Sequence, residues 1–214
     1  MSQESDKFGA RKFRDNPGFI EHRRRVDARR AALADATRIL PVEAGPCTFE
    51  IGCGHGHFLV DYAETCPERN FVGIDLIGRR LARARAKAEK RSLRNVFFLK
   101  AEAMEFLELA PAQLNFNQVF TIFPDPWPKK RHHRRRLIQS DFLTRLAERA
   151  IPGTRLYFRT DFTAYLDWAE EAIAEHTCWA LVRDAQWPFE SETYFEKILG
   201  CHRSFVAERV SPLD

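Results

Sequence analysis

From Cys47 onward the chain alternates short β-rich runs with helical stretches, and this alternation limits the fold more than any other feature. Strands are expected at Cys47–Ile51, Asn70–Ile74, Asn95–Lys100, Gln118–Ile122 and Arg155–Arg159, with helices near 57–65, 78–91, 138–150 and 163–175. Parallel strands need crossovers, and helical crossovers cover both faces of a sheet. The expected fold class is therefore α/β, a doubly wound, mostly parallel sheet. Two later β-rich runs, near 178–184 and 202–209 and joined by a long loop, are expected to add a C-terminal antiparallel pair. Upstream, Asn16-Pro17 is a helix-start signal, and a basic helix is expected from about Phe19 to Leu40. Residues 1–16 read as a mobile tail and 17–214 as a single domain.

In such sheets ligands bind outside the carboxyl ends of the strands. Glu50, Asp75, Glu102, Asp125 and Asp161 all fall at or just after an expected strand end. Five acids along one rim are hard to explain by packing alone. The first of them opens the loop Glu50-Ile51-Gly52-Cys53-Gly54-His55-Gly56, whose glycines permit a tight turn and a close ligand approach. A dinucleotide fingerprint would place Gly or Ala at position 57, which is His57, and the Gly-Lys-Ser/Thr of a phosphate loop is absent.

Charge points the same way. Glu50 would be an awkward neighbour for a pyrophosphate at a helix N-terminus, whereas S-adenosylmethionine presents cationic ammonium and sulfonium groups that an acid favours. Asp75, at the end of the second strand, suits both ribose hydroxyls. It also suits the cap of a helix starting near Ile77. Glu102, after the third strand, suits the exocyclic amine of adenine. Gly52, Gly54, Gly56, Glu50, Asp75 and Glu102 together favour a methyltransferase over a nicotinamide dehydrogenase.

The acceptor side is read from Phe123 to Arg136, where Phe-Pro-Asp-Pro-Trp-Pro runs into a block with six Lys or Arg among eight residues from Lys129. Prolines on both sides hold Asp125 in a stiff, non-helical loop. The basic block supplies a phosphate grip for RNA. Guanine N7 is an exposed lone pair that needs no deprotonation, and its methylation leaves a cationic purine. Asp125 is placed either to stabilise that charge or to hold the base through its N–H groups. Trp127 stacks on a base or wedges the loop against the sheet. Arg134, Arg135 and Arg136 are expected in the first turn of a helix with an Ile138, Phe142, Leu146 and Ala150 face. Cations there oppose the helix dipole unless phosphates dock, and a later helix start would remove the conflict. A second basic concentration, eight Lys or Arg from Arg79 to Arg94 with Glu89 as the single acid, suggests a basic face or a solvated helix.

The run Phe-Pro-Asp-Pro-Trp, with Lys129 and the Arg-His-His-Arg-Arg-Arg block, resembles the tRNA (guanine-N7)-methyltransferases that modify the variable-loop guanine, and the likeness covers roughly Phe49 to Glu208. It implies a Rossmann-like class I methyltransferase that uses S-adenosyl-L-methionine to form 7-methylguanosine in tRNA. By this resemblance Glu50, Asp75, Glu102 and Asp125 match cofactor positions, and Asp125 also matches the catalytic acid. Lys129 and Asp161 match substrate positions, Arg131, Arg134, Arg135 and Arg136 an RNA-contacting segment, and Thr193 and Glu196 a late Thr-x-x-Glu substrate element. The family more often carries Glu at the position of Asp75 and Asp at that of Glu102, swaps that keep charge and change reach by one methylene.

Other classes recede. The five cysteines are scattered without a C-x-x-C pair, and the seven histidines form no ligand motif, so no metal is expected. The N-terminus is charged and no apolar run spans a bilayer, which makes the cytoplasm the expected location, with a monomer or homodimer acting on tRNA. Methylation of an exocyclic amine, and an RNA-binding protein on a methyltransferase scaffold, are the alternative readings.

Overall fold

The computed structural model describes residues 16–190 and 201–210. Helix α1 spans Pro17–Ala36, with Asn16 as its cap: the side chain accepts from Gly18 N at 2.8 Å, and Pro17 takes the first helical position. A short 3-10 turn, Thr37–Ile39, follows. Then come β1 (Cys47–Ile51), α2 (His57–Thr65), β2 (Phe71–Asp75), α3 (Gly78–Lys90), β3 (Val96–Lys100), α4 (Ala103–Leu109) and β4 (Phe116–Ile122). A 3-10 segment at Lys130–Arg135 leads to α5 (Ser140–Ala147), β5 (Ala150–Thr160), α6 (Thr163–Ala174), β6 (Trp179–Val182) and β7 (Arg203–Arg209).

The strands form one sheet in the order β3-β2-β1-β4-β5-β7-β6. The first five are parallel, and β7 runs antiparallel to both β5 and β6. The chain winds outward from β1 to β3 and then returns to β4 on the other side of β1. That reversal opens the crevice at the carboxyl ends of β1 and β4.

Alternation along each strand divides the core between the two faces. Phe49, Ile51, Val119, Leu156 and Phe158 point to one side, where they pack with residues of α1, α4, α5 and α6. Phe71, Phe98, Phe120 and Tyr157 point to the other, against Phe58, Leu59, Leu81 and Ala84 of α2 and α3. The Phe120 and Tyr157 rings stack at 4.6 Å, and Trp187 and Phe189 close over that face.

The expected doubly wound sheet and its antiparallel end are present, with differences at element ends. Helix α5 is shorter than expected: Ile138 is buried in the preceding loop and Ala150 begins β5. Arg134, Arg135 and Arg136 therefore precede the helix, and no clash with its dipole arises. Strand β5 runs through Pro152-Gly153 with a register shift: Phe116 faces Ala150, and Gln118 faces Arg155. The seven-residue α4 was not expected from sequence. Among the described residues no helix is long and apolar enough to cross a membrane. The expected tail lies almost wholly outside the described residues.

Candidate active site

Strand β1 delivers Glu50 to the crevice. It is 4% exposed, and its Oε2 has no hydrogen-bond partner among the described residues. Burial, reinforced by the neighbouring Asp75 carboxylate, pushes Glu50 up to about 8. An acid in this position stabilises a cation brought into the crevice.

After β1 the backbone must turn sharply while keeping contact with β2. Gly52 N and Cys53 N both donate to Ile74 O at 2.9 Å. Gly52, Gly54 and Gly56 have φ of 77°, 54° and 66°, in the left-handed region. Gly56 has a second constraint, since a Cβ there would lie 2.7 Å from Ala84 Cβ. The turn is thereby held against α3. Cys53 is buried beside Gly73, where its thiol acts as a small apolar filler and burial pushes it well up.

Asp75 ends β2 and is 7% exposed. One carboxylate oxygen accepts from Gly54 N at 3.0 Å, and the other accepts from Ile77 N at 2.7 Å. Arg80 Nη1 stands 3.8 Å away. Asp75 thus ties the glycine loop to Ile77, the residue before α3, and does not cap the helix itself, which has no side-chain cap hydrogen bond. Each carboxylate oxygen keeps a lone pair for a ligand hydroxyl. Glu102 is exposed and caps α4, its Oε2 accepting from Glu105 N at 3.0 Å. It stands at the carboxyl end of β3, on the same rim as Glu50 and Asp75.

Across the switch point, β4 leads into the proline-bounded loop. Phe123 and Trp127 have φ of 50° and 43°, each preceding a proline. Left-handed backbone at such residues is strained and must be held by its surroundings. Phe123 N donates to Arg159 O at 2.8 Å. Arg136 holds the far side, with Nε donating to Pro126 O at 3.0 Å and Nη1 to Ala164 O at 3.3 Å. Its guanidinium lies over the rings of Tyr165 and Trp168. Between these two anchors Asp125 is presented to solvent.

The predicted basic block divides. Lys129, Arg131, Arg134 and Arg135 are exposed, whereas Arg136 is only 2% exposed and serves as a strut of the loop. This corrects the expectation that Arg136 faces RNA, because its donors are directed into the protein. Arg135 sits over the Trp127 ring at 4.9 Å, and His132 meets that ring edge-on. Trp127 is half-buried, and the ring contacts given for it are with Arg135 and His132 of its own loop. Asp161 is exposed just past β5. Thr193 and Glu196 lie outside the described residues.

Two supports were missed from sequence. Tyr165 accepts from Leu137 N at 2.9 Å and Ile138 N at 3.3 Å, which fixes the end of the basic block, and burial pushes the phenol up to about 12. Arg159, buried in β5, pairs with Glu190 at 3.0 Å and lies 3.9 Å from the centre of the Trp187 ring. A charge on an otherwise apolar strand interior was the available signal.

A family model described as "Putative methyltransferase" matches residues 44–198. A tRNA (guanine-N(7)-)-methyltransferase of Halorhodospira halophila is 36% identical over 161 residues, covering 72% of this chain and 69% of that protein. One from Leifsonia xyli subsp. xyli is 34% identical over 163 residues, covering 70% and 72%. Among solved structures, TrmN from Thermus thermophilus has a TM-score of 0.55 at 22% identity, over 85% of this chain and 48% of that one, a likeness of fold alone. The matched span includes the glycine loop, both buried acids and the proline-bounded loop, and with this extent of identity the chain belongs to the tRNA (guanine-N7)-methyltransferase family.

Proposed function

We propose that this chain methylates N7 of a guanine in tRNA, the variable-loop guanine being the target, with S-adenosylmethionine as the methyl donor. The observation that carries the reading is the pairing, across one switch point, of a buried cation-favouring acid with an exposed acid on a braced loop. The residues fit the donor: Glu50 has an unpaired buried oxygen, and Gly52 and Gly54 leave open space beside their backbone. Glu50 would hold its positive charge, Asp75 the ribose hydroxyls and Glu102 the adenine amine. When bound, the donor supplies an electrophilic methyl group.

The chain's own residues do the rest. Asp125 accepts from base N–H groups and stabilises the positive charge that develops on the purine. No general base is needed, because N7 carries a free lone pair, and most of the acceleration comes from alignment. Exposed Lys129, Arg131, Arg134 and Arg135 grip phosphates beside the base, with Asp161, Thr193 and Glu196 completing the substrate side. Arg136 acts at one remove by holding Pro126. The test is methyl transfer from labelled S-adenosylmethionine to unmodified tRNA, followed by digestion to nucleosides. Label in 7-methylguanosine is expected, and label in any other nucleoside would move the acceptor atom.

A further inference from the structure

Apart from Arg80 beside Asp75, the basic run on α3 has no role in the site just described. Arg79, Arg83, Lys87 and Lys90 recur at helical spacing and fall within an arc of about 80°. Leu81, Ala84 and Ala88 form the buried side of the same helix. Glu89, the only acid of α3, projects on the opposite flank. The stripe runs the length of a 13-residue helix, about 20 Å, starting at the crevice rim beside Asp75.

Of its four cations, Lys87 feels the Asp61 carboxylate at longer range. Among the described residues, none of these four cations lies within ion-pair distance of a carboxylate, although neighbouring Arg80 and Arg91 do. Helix α1 differs in part, although its Arg23 and Arg24 also form no ion pair among the described residues. There Arg25, Arg29 and Arg30 are each paired, with Glu21, Glu105 and Glu108 at 3.0, 2.6 and 2.8 Å. A solvated helix face ordinarily intersperses both signs, and this stripe does not.

The stripe also borders the glycine loop. Lys87 Nζ donates to His55 O at 2.9 Å, and Arg83 Nη1 stands 3.4 Å from His55 Nε2. Burial first, and then the Arg83, Lys87 and Arg80 cations, hold His55 below its ordinary range. The positive field therefore extends to the outer side of the loop.

We infer that the Arg79–Arg83–Lys87–Lys90 stripe of α3, with His55 at its edge, is a docking track for the phosphodiester backbone of RNA, separate from the basic block after Trp127. Regular spacing of cations along one helix face suits contact with a phosphodiester backbone. The inference rests on the proposed action on tRNA and adds a second surface to it.

The test measures binding of labelled, unmodified tRNA to the full chain across about 50–200 mM salt, for wild type and for the triple Arg79→Gln, Arg83→Gln, Lys90→Gln variant. Each lost phosphate contact lowers the slope of log K against log salt by about 0.9, so a drop of about 2–3 is expected. S-adenosylmethionine affinity, and turnover at saturating tRNA, should match wild type. An unchanged slope and affinity would overturn the track. If thermal melting shows that the triple variant is unfolded, the single Arg79→Gln variant at an exposed position decides, by a slope drop of about 0.9 or none. The two readings fail separately. Wild type that binds tRNA without forming 7-methylguanosine, with the slope lost in the variant, sinks the activity and keeps the track. Normal methylation with an unchanged slope does the reverse.

Discussion

Arg136 Nε donates to the carbonyl of Pro126, 10 residues upstream, at 3.0 Å. The same guanidinium reaches Ala164 O and lies over Tyr165 and Trp168, so one planar side chain ties the acceptor loop to α6. Arg136→Ala leaves those carbonyls without their donors and opens space beside two rings. We expect a loss of about 2–4 kcal/mol in stability, read by denaturant titration, together with a fall in kcat. Arg136→Lys should not restore either, because a single ammonium cannot reproduce the fork or the stacking.

Asp125 is exposed and braced from both sides, so its removal should leave the fold intact. Asp125→Ala is expected to lower kcat by about 100-fold or more with an unchanged melting temperature. Asp125→Asn should lose nearly as much, since it keeps size and drops the charge. Near-normal turnover in either variant would remove Asp125 from the chemistry.

Glu50 makes the pH dependence explicit. Its folded value is about 8 against an ordinary 4.5, so the folded state holds a proton that the unfolded state releases. Between pH 4.5 and 8 the unfolded state binds fewer protons, and stability falls as pH rises. Glu50→Gln removes this dependence and should gain up to about 4 kcal/mol over wild type at pH 8 in the absence of ligand. A cationic ligand favours the ionised acid, so wild-type affinity for S-adenosylmethionine should climb toward pH 8 by up to about tenfold per unit. In Glu50→Gln that climb should vanish along with most of the affinity. Calorimetric titration across the range checks both.

Two glycines of the loop should behave differently. A Cβ at Gly56 meets Ala84 Cβ at 2.7 Å and Phe98 Cζ at 3.0 Å, and φ is left-handed as well. Gly56→Ala is expected to destabilise by about 3 kcal/mol. At Gly52 a Cβ meets nothing within 4 Å, so only the backbone cost of about 1–2 kcal/mol remains. Gly52→Ala should fold, with weakened S-adenosylmethionine binding. Melting and ligand titration on the pair separate packing from ligand approach.

Much of the fold was legible along the chain. β-rich runs, turn glycines and helix-start signals act over a few residues, so the alternation and the placement of Glu50 and Asp75 at strand ends could be read directly. The readings that slipped were boundaries. Ile138 and Ala150 share a helical spacing with Phe142 and Leu146, and all four are buried, but they belong to a loop, a strand and a helix. Apolar periodicity reports burial without reporting the element that achieves it. Helix α4, at seven residues, was too short to carry a pattern.

By itself, the sequence determined the layered α/β architecture, the tight glycine turn and the stiff proline-bounded loop, because propensity, turn chemistry and hydrophobic alternation are local. Tertiary structure alone decided which charges are used and which are spare. Arg136 is buried because Ala164, 28 residues away, offers its carbonyl, and Arg29 is neutralised by Glu105, 76 residues away. Arg79, Arg83, Lys87 and Lys90 look no different from these in sequence, yet no carboxylate is folded within ion-pair reach of them among the described residues. Charge is written in composition, but its compensation depends on contacts that form only when distant segments meet.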